Sequence, residues 1–261
     1  EHGETGGARP LEHEEYFARL GRRVAQLLGS VTAEGFVYRV DLRLRPFGDS
    51  GPAIVSFDAF EDYLQQHGRD WERYAYVKAR PVSGAGPFDE LYRNVLRPFV
   101  FRRYLDFGVF ESLREMKALI AREVERRELR DNVKLGPGGI REIEFIAQVF
   151  QLIRGGRDKA LQIRPTLQVL RLLAERGILG EAAVRELDAA YRFLRNLEHR
   201  LQYLDDAQTH TLPENPADQA LVARAMGFGE YAALLQELDD HRANVSRHFE
   251  AVFADPNRKG H

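Results

Sequence analysis

With 261 residues, 44% hydrophobic and 30% charged, the chain has enough apolar mass for one large domain or two modest ones, and too much for a disordered segment. A formal net charge of −2 argues against a broad surface for nucleic acid but leaves room for a local basic cleft. The lack of cysteine excludes disulfides and cysteine-ligated zinc and fits a reducing cytoplasm, and with no signal peptide and no apolar run of membrane-span length the expected location is cytoplasmic, with no membrane partner.

The first predicted element is an amphipathic helix over 11–28, where Tyr16, Leu20, Val24, Leu27 and Leu28 recur at helical spacing. A strand is expected over 35–45, then a turn at "FGDSG" and a second strand in "PAIVSF", together a β-hairpin. Ser56 or Asp58 can cap a helix running to about Gln66, with Gly68 as its stop. Another helical segment, "DWERYAYVKAR", begins near Asp70 and ends before Pro81. The stretch "VSGAGP" (82–87) is the best boundary, giving domains over 1–84 and 85–261. Beyond it helices are expected at 88–97 and 109–129, the latter carrying Glu123 and Arg127 in the favourable i,i+4 order. A glycine-rich "DNVKLGPGG" (131–139) precedes helices at 140–154, 165–176, 181–206, 216–226 and 230–253. In the longest of these, Val184, Leu187, Tyr191, Leu194, Leu197, Leu201 and Leu204 line one face, as in a helix bundle.

The strand over 35–45 raises the question of function. Alternation places Phe36, Tyr38, Val40, Leu42 and Leu44 on one face and Arg39, Asp41, Arg43 and Arg45 on the other. A half-exposed strand with a charged outer face is one reading. The other is a phosphate site, because guanidinium groups fork onto phosphate oxygens and an aspartate among them stays ionised and can serve Mg²⁺.

The blocks "YRVDLRLRPFGDSGP", "GRDWERYAYVKAR" and "NVKLGPGGIREIEFIAQVFQLIRGG" resemble the bacterial glutamine synthetase adenylyltransferases, also called glutamate–ammonia-ligase adenylyltransferases, and the resemblance runs from the first residues to about residue 253. It implies an α+β chain: a partial nucleotidyltransferase-like antiparallel sheet with helices, followed by an all-α helical bundle. The wording "RPFGDSGP" and "LRPFVFRRYLDF" looks like the N-terminal half of the family, which removes AMP from a tyrosine of glutamine synthetase by phosphorolysis to ADP, whereas the other half adds AMP from ATP. By the resemblance Asp41 matches a metal-binding carboxylate for Mg²⁺, Arg43 and Arg45 contact phosphate, and glutamine synthetase and the PII signal protein are the implied partners. The family's Gly-Ser…Asp-x-Asp motif has only a failed near match here, because Arg43 stands where the second acid belongs after Gly29 and Ser30. The expectation is that this motif lies upstream of Glu1 and that the chain by itself does not deadenylylate.

The remaining constellations are open to two readings each. Lys134, Gly138 and Gly139 in "KLGPGGIREIEF" can hold nucleotide phosphate at a helix start, or form a tight packing loop. Glu142 and Glu144, two apart on a helix, cannot easily serve one site. Trp71 and Tyr74 are core or a base-stacking platform, and Lys78 and Arg80 are a basic rim of the cleft or a solvated helix end. A non-catalytic docking module for glutamine synthetase or PII is the alternative function. Phosphoryl-type chemistry by positioning and charge neutralisation is the first.

Overall fold

Helical spacing carries through to the structure in most segments where it occurs. The computed structural model describes residues 3–6, 10–35, 37–82, 86–103, 108–126, 129–204 and 209–253. Phe36, residues 83–85 of the expected boundary and the Glu123–Arg127 pair lie outside the described residues. Cα packing separates two units, Glu1–Val100 and Phe101–His261.

The first unit holds α1 (His13–Gly29), α2 (Phe57–Gln66), α3 (Asp70–Tyr76), α4 (Pro87–Leu91) and α5 (Arg97–Val100). Ser56 starts α2 as its cap, its Oγ accepting the Ala59 N–H at 3.2 Å. Gly68 follows the end of α2 because a Cβ there would meet Leu64 O and the Phe99 ring at 2.4–2.5 Å. Between α4 and α5 the backbone widens into a π-turn, Tyr92–Leu96, with the Arg97 N–H donating to Tyr92 O. That turn accommodates Pro98, which has no N–H and whose ring crowds the carbonyl four residues back. Leu64, Val77, Leu96 and Val100 are buried here. The ring of Phe60 meets Tyr76, and Tyr76 meets Phe99, edge to face.

Two buried charges tie this core together. Glu72 accepts the Tyr63 hydroxyl at 2.7 Å and the Arg69 N–H at 2.9 Å. Arg73 donates Nη2 to Val100 O at 3.2 Å and Nη1 to Asp70 at 3.0 Å. Lys has no fork to reach both groups, so Arg73→Lys is expected to cost about 1–2 kcal/mol, read as a lower urea midpoint at unchanged slope. An unchanged midpoint would show that the fork is not needed.

The expected antiparallel sheet is absent, and the fold class is corrected accordingly: the described residues are mostly α-helical and contain no strand. Residues 37–45 and 52–56 form no ladder: the Tyr38 N–H donates to Leu28 O of α1 at 2.9 Å, and among the described residues isolated bridges join Glu4 to Glu12, Thr32 to Gly35 and Asn132 to Thr211. Local side chains take the backbone groups a ladder would use. Asp41 Oδ1 accepts the Arg43 N–H at 3.0 Å, and Arg45 donates Nη1 to Leu42 O at 2.6 Å and Nε to Gly51 O at 3.3 Å. The turn closes as a short 3₁₀ segment, Gly48–Ser50, entered through Phe47 at φ 61 and Gly48 at φ 56. Alternation says which side chains share a face, but a ladder also needs a second strand in register, and "PAIVSF" does not supply one. The face expected to be buried is therefore uncovered: Tyr38, Leu42 and Leu44 are exposed at 66, 43 and 60%. The apolar line of α1, including Leu20, Val24 and Leu27, is likewise exposed.

The second unit holds α6 (Gly108–Arg126), α7 (Ile140–Arg154), α8 (Thr166–Glu175), α9 (Glu181–Leu204), α10 (Pro216–Ala225) and α11 (Tyr231–Phe253). Ile140, Ile143, Phe145, Ile146, Val149 and Leu152 of α7 are buried, as are Gln148 and Gln151, so this helix is covered nearly all round and is packed by α8, α9 and α11. Its buried Gln151 is spent on the chain itself, Nε2 donating to Leu161 O and Ile163 O at 2.6 Å. α9 buries Val184, Leu187, Leu194, Leu197 and Leu201, the line expected from spacing. Asn215 caps α10, with Pro216 at its first position. Among the described residues no helix is long and apolar enough to cross a membrane.

Candidate functional site

In the first unit a cleft of about 580 Å³ opens between the C-terminal end of α1 and residues 39–49. Its wall is apolar at Ala25, Val31, Val40 and Leu42, and its basic lining comes from Arg39, Arg43 and Arg45, with Asp49 beside them. A cleft of that volume with a few convergent charged groups suits a small phosphorylated ligand. Arg45 is the least exposed of the pairs in this loop and is pinned by Leu42 O, Gly51 O and, at 3.7 Å, Asp49. Arg43 is more exposed and reaches out from the loop to pair with Asp41.

Asp41 stands at the surface beside this lining, not in it. Both of its oxygens are engaged by Arg43: Nε at 3.0 Å to each, Nη2 at 2.6 Å to Oδ2, and the backbone N–H at 3.0 Å to Oδ1. The side-chain bonds first, and then the backbone bond, hold the carboxyl well below the ordinary carboxylate range, and the same pair raises Arg43. Among the described residues no group of three His, Asp or Glu gathers as a metal site. One carboxylate already saturated by a guanidinium, with Arg39 adding positive charge nearby, does not fit a divalent cation, so no step here runs through Mg²⁺.

Lys78 and Arg80 follow α3, Lys78 partly buried and Arg80 exposed, and neither lines the cleft. Lys134, Gly138 and Gly139 belong to the second unit, immediately before α7. There the backbone donors are all used within the protein. Lys134 and Leu135 donate to Asn132 Oδ1, Gly136 to Asn132 O, Gly139 to Gly136 O, and Gly138 to Glu142 Oε2 at 3.0 Å. Ile140 and Arg141 return to Val133 O and Lys134 O. Glu142 thus caps its own helix start. Burial, above all, pushes its carboxyl up to about 7, with Glu250 adding to the shift and the Gly138 N–H opposing it.

Sequence reasoning missed Glu198. It is buried at 1% exposure on α9, where Lys134 Nζ (3.4 Å), Arg195 Nη1 (2.5 Å) and His210 Nδ1 (3.0 Å) meet it. Its signal was available: position 198 falls four after Leu194 and three before Leu201, inside the apolar line. A glutamate there is almost never buried without partners.

Over residues 1–93 the chain matches the family model of the glutamate-ammonia ligase adenylyltransferases, and over 114–253 the model of the GlnD PII-uridylyltransferases. It is 58% identical across its whole length to the bifunctional glutamine synthetase adenylyltransferase/adenylyl-removing enzyme of Aromatoleum aromaticum, covering 28% of that protein. The same-named enzyme of Chromobacterium violaceum is 56% identical over 98% of the chain, with 28% of that protein covered. For Nitrosomonas eutropha the values are 53%, 97% and 27%. The chain thus spans little more than a quarter of the length of these curated relatives.

Proposed function

This chain belongs to the glutamine synthetase adenylyltransferase family, its helical unit to the GlnD PII-uridylyltransferase family, and from that premise we propose that it is part of an enzyme that removes AMP from a modified tyrosine of glutamine synthetase. The reaction is phosphorolysis. A phosphate oxygen attacks the α-phosphorus of the adenylyl-tyrosine, the bond from phosphorus to the tyrosine oxygen breaks, the phenolate takes up a proton, and ADP leaves. The observation that carries this reading is the convergence of Arg39, Arg43 and Arg45 on one cleft with an apolar wall. The guanidinium groups hold the phosphate oxygens and spread the charge that develops between them, while the wall accepts the nucleoside. Arg45, fixed to two carbonyls, is the preset contact, and Arg43 is the one released from Asp41 on binding. Lys78 and Arg80 add positive charge to the same unit.

The test is binding of a fluorescent ADP analogue to the 261-residue chain. Each lost charge-assisted contact should weaken it about tenfold, so Arg43→Ala with Arg45→Ala is expected to weaken binding by at least that factor. Equal affinity in the double variant, or no binding in the wild type, overturns the reading.

One observation favours a second reading, a docking module for glutamine synthetase or the PII signal protein: the uncovered apolar line Tyr16, Phe17, Leu20, Val24 and Leu27 of α1. Partner capture that persists in the arginine double variant and is lost in Leu20→Asp would support it.

A further inference from the structure

The cluster around Glu198 is built from three separate stretches of sequence. Lys134 comes from the loop before α7, Arg195 and Glu198 from α9, and His210 from the segment before α10. The backbone joins two of these stretches: the Val133 N–H donates to His210 O at 2.8 Å, and the Leu212 N–H to Asp131 O at 3.1 Å. Lys134 is further fixed through its own backbone, its N–H on Asn132 Oδ1 and its carbonyl accepting the Arg141 N–H. The base of the cluster is a buried carboxylate, and its upper groups reach solvent, since the Lys134 and Arg195 side chains are each 37% exposed.

The contacts to Glu198 do not exhaust these cations. An ammonium has three donors and a guanidinium five, and each spends one on Glu198. Two fixed positive charges face one negative charge, and His210 adds a third positive charge when protonated. A second carboxylate near this face of α9, Glu144, accepts the Tyr191 hydroxyl at 3.0 Å and keeps its charge. What remains is a pair of solvent-facing cations, each anchored to the same buried carboxylate and each with N–H donors to spare. We propose that Lys134 and Arg195, braced from below by Glu198, form a seat for a phosphate group in the helical unit.

The ligand chemistry is a phosphate oxyanion, whose source is either inorganic phosphate or the phosphates of a nucleotide. The test uses the 261-residue chain carrying Arg43→Ala and Arg45→Ala, so that the first unit's cleft is silent, at ionic strength held constant with chloride. Lysines are labelled with ¹³C at Cε, which leaves their ammonium groups unmodified, and followed by NMR while inorganic phosphate, and in a second arm ADP, is titrated. The expected result is a saturable shift of the Lys134 resonance, assigned by its loss in Lys134→Arg. Isothermal titration should then show at least about tenfold weaker binding in Lys134→Met and in Arg195→Met, with Lys134→Arg retaining it. Saturation by phosphate alone identifies the inorganic ion, and saturation only by ADP identifies a nucleotide. A Lys134 resonance that moves with neither, or binding indifferent to both Met variants, overturns the seat while leaving the cleft of the first unit untouched.

Discussion

Gly138→Ala is expected to destabilise the helical unit by about 3–5 kcal/mol, combining the backbone strain of a left-handed alanine with overpacking of a filled site. Gly138 has φ +65, and a Cβ built on it would lie 2.4–2.7 Å from the carbonyl oxygen, Cα and carbonyl carbon of Arg242. Those are main-chain atoms of α11, so no rotamer change relieves the contact. The loop or the helix must move, and with it the Gly138 N–H bond to Glu142 and the Arg242 Nη2 bond to Asn132 O at 3.2 Å. At about 2–4 °C per kcal/mol for a unit of this size, the melting temperature should fall by roughly 10 °C. Gly177→Ala is the internal comparison. Its φ is +62, but nothing lies within 4 Å of the added Cβ, so it carries the backbone strain alone, about 1 kcal/mol. Equal losses in the two variants, measured by calorimetry, would show that α11 does not bear on the loop. Packing within the loop accounts for the other glycines of "KLGPGG": a Cβ at Gly136 or Gly139 would strike the loop's own backbone oxygens, at 2.5 and 2.8 Å.

Helices were legible where one face of the pattern was answered by a neighbour. Leu187, Leu194 and Leu201 recur on α9 and are buried there. Ile140–Arg154 forms over the expected span because its broad apolar face, Ile143, Phe145, Ile146, Val149 and Leu152, is answered by buried packing. α1 also forms where expected, yet its apolar line is exposed: spacing states that a face exists, not what covers it. The same limit defeated the strand. Alternation from Tyr38 to Leu44 sorted the side chains, but a strand is a property of two segments, and Asp41 and Arg45 instead closed local bonds onto their own backbone. For the candidate site, strand alternation put Arg39, Asp41, Arg43 and Arg45 on one side; the three arginines do line one cleft, but from an irregular segment, and Asp41 lies outside the lining. Glu198 was not read, because attention to leucine spacing hides a charged residue in the same line. Its partners Lys134 and His210 are distant in sequence, and only the tertiary fold brings them to it. Glu72 and Arg73 show the same thing in miniature, as adjacent charges in an aromatic helix that serve its core.

Glu142 should make the stability of the helical unit fall as pH rises from about 4.5 to about 7. Its carboxyl is pushed up to about 7, first by burial and then by the neighbouring Glu250 carboxylate, with the Gly138 N–H, Lys117 and the Ser246 hydroxyl offsetting part of that. In the unfolded chain the group titrates at an ordinary value. Between the two values the folded state holds a proton that the unfolded state has lost, so raising the pH through this window favours unfolding. Below it both states are protonated and the group contributes no difference; above it the folded state carries a half-buried anion whose cost is fully expressed. Lys117 cannot cancel that cost, since its Nζ is bound to Glu250 at 2.6 Å and lies 5.1 Å from the ring centres of Phe249 and Phe253. Glu142→Gln keeps an acceptor for the Gly138 N–H and removes the charge. Relative to wild type it is expected to be about 2–3 kcal/mol more stable at pH 8 and indistinguishable at pH 4.5. The measurement is a pair of urea titrations across that range, read as the difference between variant and wild type so that the other carboxylates drop out. A difference that does not change with pH would mean that Glu142 is ionised at no cost where it stands. A variant less stable at pH 8 would mean that the anion is the preferred cap of α7, held there by Lys117 and the helix start.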